Sequence, residues 1–227
     1  MGAASSRERM PPVKDLWVFE KEAAGKGCKD IAGIDEAGRG PLAGPVVSAA
    51  VILPLTFNDS EITDSKKLSP KKRERLYDKI YSLATTVGIG IVDSVEIDRI
   101  NILQASLLSM AMAVKNLAPD PDFLLIDGIF SIASDLPQKP VKKGDSLSIS
   151  IAAASIIAKV TRDRLMQKYH HYYPEFDFPR HKGYPTKAHK EAIRKFGCSP
   201  IHRKSFKGVK EYTWQTNSKN SARRAKT

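Results

Sequence analysis

From Ser146 to Ala158 the chain carries no charged side chain, and Ile149, Ala152, Ala153, Ile156, Ile157 and Val160 recur at helical spacing within and just beyond that stretch. The run falls well short of the ~20 apolar residues that a membrane span requires. A helix this apolar has to be covered by other layers of structure, so the rest of the chain must supply a sheet or further helices to bury it.

The sequence offers a sheet. Asp30 to Glu36 (DIAGIDE) and Pro45 to Leu53 (PVVSAAVIL) are apolar runs separated by Gly38, Gly40 and Gly44, the pattern of two strands joined by a glycine-rich turn. Ser69 and Pro70 mark a helix start, and Leu76, Tyr77, Ile80, Leu83 and Ala84 follow at helical spacing. Thr86 to Val92 is a third strand. Leu103, Leu107, Met110, Val114 and Leu117 lie on one face of a long helix that Pro119 to Pro121 ends, and Phe123 to Asp127 (FLLID) is a further short strand. A last helix is expected from about Thr186 to Phe196, stopped by Gly197. An opening antiparallel hairpin followed by helical crossovers predicts an α/β fold, a mixed sheet flanked by helices with a helical C-terminal segment. The 41% hydrophobic share suits one sizeable core.

The net charge of +12 raises the odds of a polyanionic partner. Part of it sits at the C-terminus, where Arg203, Lys204, Lys207, Lys210, Lys219, Arg223, Arg224 and Lys226 face only Glu211. The expected layout is an N-terminal extension over 1–28, a catalytic domain over 29–206 and a basic, disordered tail over 207–227. Cys28 and Cys198 are far apart and form no CxxC pair, which argues against a disulfide scaffold or a zinc site. With no apolar signal core at the N-terminus, the expectation is a cytoplasmic monomer without a membrane partner.

Hydrolysis of nucleic acid without a covalent intermediate commonly uses divalent ions, and hard ions such as Mg²⁺ need carboxylate oxygens. Asp35 and Glu36 end the first strand beside Gly38-Arg39-Gly40, Asp127 ends FLLID, and Asp145 precedes the uncharged helix. Each has a plainer reading. Asp145 resembles an ordinary N-cap and Asp127-Gly128 an ordinary turn, while adjacent residues such as Asp35 and Glu36 point to opposite faces of a regular strand. The two glycines around Arg39 allow backbone N–H groups to approach a phosphate or sugar closely, although the pattern is neither a dinucleotide fingerprint nor a P-loop.

Gly33-Ile34-Asp35-Glu36-Ala37-Gly38-Arg39-Gly40-Pro41-Leu42-Ala43-Gly44-Pro45-Val46-Val47 resembles the signature of ribonuclease HII. Asp64-Ser65-Lys66-Lys67-Leu68, Ile126-Asp127-Gly128, Lys143-Gly144-Asp145, the run from Ser150 to Asp163 and His181-Lys182-Gly183-Tyr184 are similar to that family's later motifs, in its order. The resemblance covers about Gly33 to Phe206. It implies a ribonuclease H-like fold, a metal-binding catalytic tetrad of Asp35, Glu36, Asp127 and Asp145, and Mg²⁺ or Mn²⁺ as cofactor. It further implies that Gly38, Arg39 and Gly40 sense the 2′-hydroxyl and that Tyr184 stacks at the junction between ribonucleotide and deoxyribonucleotide. Lys66 would be a phosphate contact, against the plainer reading of a solvated loop lysine. The implied substrates are RNA-DNA hybrids and double-stranded DNA holding single ribonucleotides, cut on the 5′ side to leave 3′-hydroxyl and 5′-phosphate ends. His181 and His189 show no ligand spacing and are expected on the surface. Ribonuclease HIII is the competing enzyme reading, but it carries a glycine-lysine-glycine loop where this chain has Arg39, and typically an extra N-terminal domain where only some 30 residues precede Gly33. A non-catalytic binding module would suit the charge but has no use for convergent carboxylates, which repel phosphate.

Overall fold

The computed structural model describes residues 15–57, 61–62, 65 and 68–213. Five strands form one mixed sheet: β1 (Ile31–Ala37), β2 (Val46–Ile52), β3 (Thr86–Val92), β4 (Phe123–Asp127) and β5 (Gln138–Val141), in spatial order β3-β2-β1-β4-β5. The β1–β2 and β2–β3 pairs are antiparallel, while β4 joins β1 and β5 joins β4 in parallel. Thus the α/β sandwich expected from the sequence is the one observed.

Two helices cover the two faces. On one side α3 (Ser94–Lys115) packs Met110, Ala113 and Val114 onto Ala32, Ile34, Leu124 and Ile126; on the other, α4 (Ile149–Tyr172) packs Ala152, Ala153, Ile156 and Ile157 against Ala49 and Val51. The alternation along β1 is therefore strict, with Ala32 and Ile34 towards α3 and Gly33 and Asp35 towards α4. Gly33 is needed there, because a Cβ would lie 2.1 Å from the Ser150 carbonyl carbon. From Ile149 to Ala158 every residue of α4 is buried, and each large aliphatic side chain so removed from water stabilises the fold by roughly 1.5–3 kcal/mol.

By length and hydropathy α3 is long and apolar enough to cross a membrane, yet in the fold one face of it lies along β2 and β3. Asn101 breaks it at φ 69°, and the Asn101 Oδ1 accepts from the N–H groups of Leu103 and Gln104, capping the second half. The apolar face read from Leu103 onward starts at this new cap.

Parts of the fold give no signal in the sequence or differ from what it suggests. Strand β5 (QKPV) buries only Val141 and holds Pro140, which an edge strand tolerates. Helix α1 (Val18–Ala24) lies inside the stretch expected as an extension, and its Glu20 is buried at the start of α4, accepting from the hydroxyls of Ser148 at 2.5 Å and Ser150 at 2.6 Å and from the Ser150 N–H at 3.1 Å. Packing also continues past 206: Val209 is fully buried with Leu42, Phe178 and Ile193, and Lys210–Tyr212 form a 3-10 turn. The remainder of the tail lies outside the described residues.

Candidate active site

The ends of β1 and β4 are neighbours. Ile34 pairs with Ile126, so Asp35 and Asp127 follow side by side on the face towards α4, as the alternation requires. Asp35 is buried, and its Oδ1 accepts from the Glu36 N–H at 2.7 Å. Its carboxyl is held well above the usual carboxylate range, first by burial and then by the negative charges of Glu36 and Asp127; a hydrogen bond from Ser155 of α4 works in the opposite direction.

Asp127 brings in the third segment. Its Oδ1 accepts from the Gly144 N–H at 2.6 Å, which ties the end of β4 to the 3-10 turn Gly144–Ser146 that carries Asp145. A Cβ at Gly144 would lie 2.5 Å from Ile151 Cδ1 and 3.3 Å from Asp127 Oδ1, so a side chain there would displace the end of Ile151. Asp145 is buried in this turn and is not the N-cap of α4. That position belongs to Ser148, whose Oγ accepts from the Ile151 N–H, and the carboxylate at the helix start is Glu20.

Glu36, still paired with Ser48 of β2, points to the other side of β1, where its Oε1 accepts from Arg39 Nη1 at 3.3 Å. Glu36 and Arg39 separate two clefts. One, of about 390 Å³, is lined by Gly38, Gly40, Ser65, Ser155, Lys159 and Tyr184; the other, of about 250 Å³, by Asp127, Gly128, Ile129 and Phe130 together with Leu103 and Met110. Lys159 is the first charge along α4 and was given no role from the sequence. It reaches Asp163 at 2.7 Å, and burial pushes its ammonium down from the ordinary lysine value. As they stand, and among the described residues, no group of three or more His, Cys, Asp or Glu side chains is set to hold a metal ion. The four acids are brought to one edge of the sheet from three segments, but not into a closed cage.

The loop over 38–45 lies across two arginines that sequence reasoning passed over. Arg162 of α4 donates to the carbonyls of Pro45 at 2.9 Å, Lys182 at 3.0 Å and Ala43 at 3.1 Å. Arg203 donates to those of Gly44 at 3.0 Å, Arg39 at 2.9 Å and Gly38 at 2.5 Å. Gly38 adopts φ 102°, and a Cβ there would sit 2.1 Å from Arg162 Nε, so glycine is required on both counts. Tyr184 is 42% exposed, with its ring edge beside Gly40. Of the expected contacts, Gly38, Arg39, Gly40 and Tyr184 therefore meet at one cleft, while Lys66 lies outside the described residues.

His181 and His189 are not on the surface. His189 is fully buried, stacked on His181 at 4.3 Å between ring centroids and hydrogen-bonded Nε2 to Nε2 with His202 at 3.0 Å. The Ser199 N–H can only donate, so His202 Nδ1 accepts it and His202 carries its proton on Nε2. That proton goes to His189 Nε2, and His189 Nδ1 donates to the Tyr184 carbonyl at 2.9 Å. Burial pushes His189 down to about 4 and His202 to about 3, keeping the chain of rings neutral. No sequence signal distinguishes such histidines from surface ones, because their partners come from separate segments.

Residues 32–209 match the family model for ribonuclease HII. The chain is 57% identical over 199 residues to the ribonuclease HII of Geobacter metallireducens, covering 88% of this chain and 93% of that protein. It is also 57% identical over 189 residues to that of Syntrophus aciditrophicus, with 83% and 89% covered. Among solved structures, the ribonuclease H2 from Pyrococcus horikoshii superposes with a TM-score of 0.69 at 26% identity, covering 83% of this chain and 99% of that one. By sequence and by fold alike, the chain belongs to the ribonuclease HII family of nucleases.

Proposed function

We propose that this chain hydrolyses the RNA strand of RNA-DNA hybrids and incises double-stranded DNA on the 5′ side of an embedded single ribonucleotide, leaving 3′-hydroxyl and 5′-phosphate ends, as a cytoplasmic monomer. The observation that carries the reading is the meeting of Asp35, Glu36 and Asp127 at adjoining strand ends, where like charge acts on Asp35 beside an open cleft. An all-carboxylate donor set suits a hard divalent cation, Mg²⁺ or Mn²⁺, and the three segments bearing Asp35, Glu36, Asp127 and Asp145 would hold it in a two-metal-ion arrangement. When bound, such ions supply an activated water and neutralise the leaving oxygen.

The chain's own residues supply the recognition. Arg39 and the glycines beside it present main-chain N–H groups and one guanidinium at the cleft, which suits a sugar hydroxyl and its phosphate. Tyr184 offers an exposed ring face at the same cleft for stacking on the following sugar or base.

The test is a labelled DNA duplex holding one ribonucleotide. The expected result is a single cut on the 5′ side of the ribonucleotide that excess chelator abolishes, with an all-DNA duplex left intact. Cutting of all-DNA at a similar rate, or cutting unaffected by chelator, would refute the reading.

A further inference from the structure

Arg162 and Arg203 are among the largest fully enclosed side chains of the protein, 1% and 0% exposed. Removing a guanidinium from water is costly unless its N–H groups are matched, and here the hydrogen bonds of both end on main-chain carbonyls of the 38–45 loop and of Lys182. Burial pushes Arg203 down to about 9 and Arg162 to about 10, so both remain charged at neutral pH. Two positive charges are thus fixed directly behind a loop that faces a cleft.

The peptide geometry gives this grip a direction. In a trans peptide the C=O and the following N–H point to opposite sides of the chain. Arg203 holds the Gly38 and Arg39 carbonyls on the buried side, which turns the N–H groups of Arg39 and Gly40 away from it, towards the cleft that Gly38, Arg39 and Gly40 line. Among the described residues neither N–H has an acceptor. The arginine is itself anchored to the same loop, because the Arg203 N–H donates to the Leu42 carbonyl and the Gly44 N–H to the Ile201 carbonyl, both at 2.9 Å.

We infer that Arg203, with Arg162 beside it, is a positioning residue that aims the Arg39 and Gly40 N–H groups into the cleft and so sets the preference for a ribose over a deoxyribose at the cut site. This rests on the function proposed above. A lysine cannot replace the fork, since one ammonium does not reproduce a planar guanidinium that donates to three carbonyls.

The experiment compares the affinity of the full chain, in chelator, for a single-ribonucleotide duplex and for the same duplex in all-DNA form. Wild type should prefer the former, and Arg203→Lys should lose about tenfold of that preference with all-DNA affinity unchanged, the scale of a hydrogen bond misplaced. Leu76→Ala, a cavity in the core remote from the loop, should lower the melting temperature and keep the preference. Gly40→Pro, on the exposed loop, deletes one donor while keeping both arginines and should copy Arg203→Lys; it decides the matter if the arginine variant does not fold. Undiminished preference in folded Arg203→Lys, or in Gly40→Pro, would overturn the inference while leaving the proposed activity standing. Wild-type protein that neither prefers nor cuts the ribonucleotide duplex would overturn both.

Discussion

The acidic edge and the arginine clamp lie on either side of the same glycine loop and are built on opposite principles. Each guanidinium nitrogen of the clamp donates to a carbonyl fixed in place, and together they hold one conformation of the loop. At the acidic edge, like charges act on a buried carboxyl, so the protein alone leaves that site electrostatically strained. A buried cation whose every nitrogen is hydrogen-bonded serves geometry, and buried acids that press on one another mark the place where a ligand of opposite sign belongs.

Removing charge from the two regions should therefore have opposite consequences. Asp35→Asn or Asp127→Asn is expected to lower cleavage by at least about 10²–10³-fold, the scale for deleting one electrostatic stabiliser, without lowering the melting temperature in chelator. Near wild-type turnover by folded Asp35→Asn would break the comparison.

A third buried carboxylate sharpens it. Glu20 is a structural acid, accepting three hydrogen bonds at the start of α4. Glu20→Ala should cost about 3 kcal/mol of stability in denaturant unfolding with turnover per folded molecule retained. Glu20→Gln, which keeps an acceptor, should cost less. A variant that is stable but inactive would move Glu20 into the functional class.

Tyr184→Ala should lose roughly 1–3 kcal/mol of transition-state stabilisation on a single-ribonucleotide duplex and less on a long hybrid, read from kcat/KM on each. Equal losses on both would show that the ring has no role specific to the junction.

The smallest effect concerns the histidine chain beneath Tyr184. In the unfolded chain these rings titrate near 6.5, whereas in the fold His189 and His202 stay neutral down to about 4 and about 3. As pH falls below 6.5 the unfolded state binds protons that the folded state refuses, so stability is full above 6.5 and is lost towards 4. A loss of about 1–2 kcal/mol by about pH 6 is expected for the two rings together, and His202→Asn should flatten the dependence. An unchanged slope in that variant would assign the acid sensitivity elsewhere.

What was legible in the sequence follows from these same contrasts. Strands β1 to β4, helices α2 (Pro70–Leu83), α3 and α4 and the helix Lys187–Phe196 announce themselves because apolar period and cap agree locally: Ser69 and Thr186 accept from the N–H groups of Lys72 and His189 as their positions suggest. Strand β5 gives no such pattern, because an edge strand with Pro140 and a lone buried valine has no apolar period. The acids could be found as carboxylates at strand ends, but not told from caps and turns, since that distinction rests on where Ser148 and Glu20 fall. Arg162, Arg203 and the histidines stayed hidden because a polar residue's burial is decided by carbonyls and rings contributed from distant segments.

The central claim, that the acidic edge is a cation site while the clamp is closed, is tested most directly by calorimetric titration of Mn²⁺ into chelator-treated full-length protein. Saturable binding by wild type and by Arg203→Lys, lost in Asp35→Asn of unchanged circular dichroism, is the predicted result. Binding of equal strength to Asp35→Asn, or none to wild type, would contradict it.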